Sequence, residues 1–139
     1  MTIETGCVGN EGSPDPEPGI AIELAIRRAQ TIEDLRYDLS FEIPSDPLEP
    51  IFGHTVIQFR LTEISEPVVL DFAPGGDFVT SVSTGRKPSQ FQVVNDHIVI
   101  PVDALVPGDN TVEVFFQAGD ASLNRNPDFM YTLFVPARA

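Results

Sequence analysis

From Ile32 onward the spacing of the apolar residues changes from 3.6 to 2. Leu35, Tyr37, Leu39, Phe41 and Ile43 alternate with Arg36, Asp38, Ser40 and Glu42. A period of two over that length is the signature of an extended strand with one dry and one wet face. The pattern then recurs. Pro44, Pro47 and Pro50 break the chain, and Ile51, Thr55, Ile57, Phe59 and Leu61 share one parity in a second long strand. Val68, Leu70 and Phe72 make a third, closed by Pro74-Gly75-Gly76. Val79–Ser83 and Phe91–Val94 flank Thr84-Gly85-Arg86-Lys87-Pro88, read as a hairpin turn in which glycine takes a positive φ. Asn95-Asp96 is a second tight turn, into His97–Ile100. Val112, Val114 and Phe116 follow Pro107-Gly108-Asp109-Asn110, and Phe129–Val135 is the last run. Many short strands with turn chemistry between them predict an all-β fold, an antiparallel β-sandwich over residues 20–139. The 10 phenylalanines fall at strand parity and are expected in its core.

Two segments depart from this period. Residues 20–30 carry Ile22, Ala25, Ile26 and Ala29 at i, i+3, i+4 and i+7, which predicts a short helix with that stripe docked. Glu23 near its start and Arg27 and Arg28 near its end suit the helix dipole. At about three turns it needs a surface to rest on. Residues 1–19 are expected to be a disordered linker, because Gly9 to Gly19 offers no apolar side chain and only acidic charge. Met1 to Glu4 shows no basic, apolar start of the kind a signal peptide has. Cys7 is the single cysteine and cannot close an internal disulfide. Its place after Gly6 and before the linker fits a lipid-bearing cysteine whose leader has been removed. A chance cysteine fits equally, so periplasmic, lipid-anchored and cytoplasmic locations all stay open.

Chemistry is sparse. Eight Lys+Arg against 21 Asp+Glu leave a net charge of −13, which repels phosphate backbones and argues against nucleic acid as a partner. No apolar run reaches the roughly 18–20 residues of a membrane helix. The two histidines, His54 and His97, stand far apart, and neither has a second ligand at metal spacing. No H-E-x-x-H, C-x-x-C, glycine-rich phosphate loop or G-x-S-x-G occurs. Asp120, Asn124, Asn126 and Asp128 cluster on one loop but lack the central glycine and closing glutamate of a calcium loop, so they read as Asx turns. With no Trp and two tyrosines inside strand patterns, an aromatic platform for sugars is not apparent. Residue by residue, the chain reads as an accessory domain with no catalytic or metal-binding residue of its own.

Several segments together resemble the amino-terminal domain of the zinc aminopeptidases of the alanyl aminopeptidase and leukotriene-hydrolase type. They are Leu35–Phe41, Ile51-Phe52-Gly53-His54-Thr55-Val56-Ile57-Gln58-Phe59, Val69-Leu70-Asp71-Phe72, Gly85-Arg86-Lys87-Pro88, Leu105–Val112 and Ser122-Leu123-Asn124-Arg125-Asn126-Pro127-Asp128-Phe129-Met130-Tyr131-Thr132. The likeness spans about residues 20–139 in order. It implies a β-sandwich that packs against a thermolysin-like catalytic domain. Zinc, H-E-x-x-H and G-x-M-E-N belong to that neighbouring domain and not to this chain, which therefore carries no cofactor. It also implies an excised domain, since the family runs on where this chain stops at Arg138-Ala139. Where the family lends a Gln-x-Glu or Gln-x-Gln to the substrate pocket, this sequence reads Leu133-Phe134-Val135. That departure turns polar recognition into an apolar wall of the cleft or domain interface, with Arg138 beside it. The alternative for the same residues is a last core strand. The implied partners are the catalytic domain and, through it, peptides. In isolation an apolar patch around Phe129–Val135 would favour a homodimer. The rival reading is a free-standing interaction or carbohydrate-binding module.

Overall fold

The alternation at residues 32–61 folds as two eleven-residue strands, β1 (Ile32–Glu42) and β2 (Ile51–Leu61), paired antiparallel. The computed structural model describes residues 14–119 and 123–132. Ahead of β1 lies one helix, α1 (Ile22–Thr31). After β2 come β3 (Val68–Asp71), β4 (Val79–Thr84), β5 (Lys87–Pro88), β6 (Gln92–Val94), β7 (His97–Ile100), β8 (Gly108–Ala118), β9 (Asn124–Arg125) and β10 (Met130–Tyr131). They form a five-stranded sheet in the order β1-β2-β8-β4-β5, a three-stranded sheet β3-β7-β6 and a small β9–β10 ribbon. Every pairing is antiparallel. The described residues thus form a mostly-β sandwich with one short helix.

The core lies between the two sheets. Ile57, Phe59 and Leu61 of β2, Val82 of β4 and Val112 and Val114 of β8 meet Val68, Ile98 and Ile100 of the smaller sheet, all buried. Residues of opposite parity on β2, such as Phe52, Gln58 and Arg60, face out. Register is set by this alternation, since a one-residue slip would turn every core side chain to water. Gly53 has a separate reason: a Cβ there would sit 2.3 Å from Cζ of Phe116, whose ring passes over it.

Four details differ from the sequence-based expectation. First, β1 starts at Ile32, where the change of period puts it, but a bulge between Glu33 and Arg36 interrupts the alternation within the strand. Asp34 takes the positive φ, +51°, that this bulge demands. Second, the Gly85-Arg86 turn closes β4 onto the two-residue β5, not onto β6, which crosses to the other sheet. Asn95-Asp96 is the β6–β7 turn, both residues with positive φ as a two-residue hairpin favours. Third, α1 forms where expected but docks by a different face. Ile22 and Ile26 remain 68% and 51% exposed, whereas Leu24 and Arg28 turn inward over the outer face of the smaller sheet. Arg28 is held there by Asp71 and the Val69 carbonyl, and Arg27 pairs with Glu66. Ion pairs to β3 and its approach decide which side of the helix is down. Fourth, Phe41, Phe52, Phe115 and Phe129 are exposed rather than core.

Candidate functional site

The three-stranded sheet is too narrow to cover the five-stranded one. The inner face of β1 projects beyond the β3 edge, and among the described residues nothing lies above its apolar row. Tyr37, Leu39 and Phe41 stand directly opposite Ile57, Thr55 and Gly53, so they point to the core side. Yet Leu35, Tyr37, Leu39, Phe41 and Ile43 are 39–61% exposed. Between this row and β3 runs an open groove of about 520 Å³. Ile57, Phe59, Ile98, Val114 and Phe116 line it. Phe116 anchors one end, with Phe41 and Phe72 set edge-on to its ring at centroid distances of 6.2 and 5.5 Å.

Polar groups converge at the rim. Arg28 reaches Asp71 with both guanidinium nitrogens, at 2.6 and 3.1 Å, and donates to the Val69 carbonyl at 2.8 Å. Nε2 of His97, 1% exposed and opposite Asp71 in the β3–β7 register, lies 3.3 Å from the same carboxylate. Its Nδ1 is buried and finds no partner among the described residues. Tyr37 lines the groove beside these groups. Burial pushes its phenol above the ordinary 10.0, the Arg28 charge pulls it partly back and Asp71 adds to the rise. Arg28, Asp71 and His97 are far apart in sequence and belong to no motif, so only pairing across the sheet could reveal them.

Chemically the groove is an apolar trough, and Asp71 engages Arg28, the one cation among its described lining residues. A larger cavity of about 1020 Å³ lies where the 14–17 segment and α1 pass over the smaller sheet, but its walls mix polar and apolar groups. His54, on the outer face of the large sheet, stacks on Phe115 at 4.1 Å with Nε2 3.6 Å from Glu113. His54 and His97 thus lie on outer faces of different sheets. Among the described residues no three His, Cys, Asp or Glu side chains gather to hold a metal ion. The Asn126 side chain accepts from the backbone N–H groups of Asp128 and Phe129 as an Asx turn should. Asp120 lies outside the described residues, as do Cys7, Leu133, Phe134, Val135 and Arg138. Of the run expected as a last strand, only Met130–Tyr131 is described as one, and Phe129, Met130 and Tyr131 are exposed. Comparison of the chain with protein-family models, with curated proteins and with solved structures finds no match.

Proposed function

We propose that this chain is a non-catalytic β-sandwich domain that packs its open groove against the catalytic domain of a zinc aminopeptidase and helps shape that enzyme's substrate cleft. One observation carries the docking part: the apolar row from Leu35 to Ile43 is aimed at a core that the smaller sheet does not supply. Apolar surface gathered in one place and rimmed by polar groups marks an interaction site. The identity of the neighbour rests on the resemblance of the strand segments to that aminopeptidase family. On this reading zinc and the general base reside in the neighbour, and Leu133, Phe134, Val135 and Arg138 stand at the junction.

The test is a polypeptide that continues past Ala139. It should encode H-E-x-x-H, hydrolyse alanyl anilide with zinc, and lose activity on Leu39→Asp while retaining its metal. A coding sequence without zinc ligands, or zinc-dependent hydrolysis by residues 1–139 alone, would overturn the proposal. The second reading, a free-standing interaction or carbohydrate-binding module, draws on exposed Phe52 and Phe115 on the outer face of the large sheet. Binding of a glycan or protein that is lost on Phe115→Ser but not on Leu39→Asp would favour it.

A further inference from the structure

Strand β1 is open in a second direction. It ends the order β1-β2-β8-β4-β5, so the backbone groups on its outer edge have no strand partner among the described residues. A free edge next to an apolar face is a template for one more strand. The bulge at Glu33–Arg36 disrupts the edge's start and leaves the regular part from Arg36 to Glu42.

The side chains along that part specify what can pair with it. We infer that the occupant is β1 of a second copy of this chain, antiparallel and two-fold symmetric about Leu39. In that register Arg36 stands opposite Glu42 of the second copy, twice by symmetry, and Asp38 stands opposite Ser40. On the inner face Leu39 meets Leu39 and Tyr37 meets Phe41. Opposite charges and aromatic pairs set directly across strands are the favourable combinations. Moving the register by two residues one way sets Asp38 against Asp38; the other way it sets Asp38 against Glu42. Both are repulsive. An odd shift would place the apolar row against the charged one. Arg36 and Glu42 make no ion pair among the described residues, so both are free to engage. The net charge of −13 opposes association, but at physiological salt it is screened beyond about 8 Å, whereas the seam charges are in contact.

The pair joins two five-stranded sheets into one and doubles the apolar floor beside the groove without roofing it. It therefore does not depend on the proposed neighbour and leaves that docking face open.

Sedimentation of the full 139-residue chain across a dilution series reads the equilibrium directly. The expected result is a monomer–dimer equilibrium weakened roughly tenfold or more by Arg36→Glu, which sets glutamate against Glu42 at both ends of the seam. Combining it with Glu42→Arg should restore the dimer. Arg36 is exposed on an edge strand, so each variant should fold, which circular dichroism checks. In a Cys7→Ser background, Leu39→Cys should form an interchain disulfide while Leu48→Cys, also exposed, does not. A chain that stays monomeric at every concentration overturns the inference. So does a dimer indifferent to Arg36→Glu, or one the charge swap fails to restore. None of these outcomes requires the zinc-bearing polypeptide, so failure here and failure of the proposed function are separable.

Discussion

Gly53→Ala tests how tightly the open end of the sandwich is packed. The added Cβ would meet the Phe116 ring at 2.3, 2.5 and 2.9 Å, well inside contact distance. The ring cannot simply swing away, because Phe41 and Phe72 stand edge-on to it at 6.2 and 5.5 Å. Overpacking of this kind costs about 1–3 kcal/mol. Replacing glycine in a strand interior returns roughly 0.5–1 kcal/mol. Three contacts under 3 Å put the overpacking in the upper part of that range, about 2–3 kcal/mol, so the net expectation is a loss of about 1–2.5 kcal/mol, or roughly 4–10 °C in Tm for a domain of this size. Urea denaturation at constant m-value measures it. Phe116→Leu alone should cost about 1–2 kcal/mol through lost ring contacts. Together the two should cost at least about 1 kcal/mol less than their sum, since the shorter side chain vacates the space the methyl needs. A neutral or stabilising Gly53→Ala, or strict additivity in the cycle, would refute the claim that ring and glycine are matched.

Asp71→Ala removes the shared partner of Arg28 and His97 and should destabilise by about 1–2 kcal/mol, kept modest because the carboxylate is partly exposed. Asp109→Ala, in the Arg60 pair with a side chain 86% exposed, should change stability by less than about 0.5 kcal/mol in the same denaturation assay. Asn110→Ala should cost about 2 kcal/mol, because its buried side chain accepts from the Val106 N–H and donates to the Val106 and Gly108 carbonyls. In an ultraviolet titration the Tyr37 phenol should ionise above 10.0, and higher still after Arg28→Met removes the charge that lowers it. Since the folded phenol holds its proton more tightly than the unfolded one, its contribution to stability is level below pH about 10. It is lost as pH rises through the folded value.

The long strands are legible because their signal is local. β2 runs from Ile51 to Leu61 just as the shared parity of its residues indicates. The Asn95-Asp96 turn is legible for a similar reason, both residues being of the kind that tolerates positive φ. Features set by distant residues leave a weaker trace. β1 begins at Ile32 as the change of period indicates, but the bulge between Glu33 and Arg36 leaves no periodic signal of its own. The Ile22–Ile26 stripe has helical spacing, yet the helix turns Arg28 inward because Asp71 waits there from forty-odd positions away. The candidate site was illegible for the same reason. Nothing near Asp71 in sequence announces His97 or Arg28.

Period and turn chemistry depend on neighbours a few positions apart, and from them alone comes the element inventory: one helix, then antiparallel strands with polar and apolar faces. Which apolar faces are covered depends instead on how the sheets pack together. Leu39 and Ile57 look alike in sequence, both apolar at strand parity, but one is 53% exposed and the other 3%. The difference is the width of the opposing sheet, and sheet width is set by pairings between distant strands. A single strand's residues cannot encode what lies across from them.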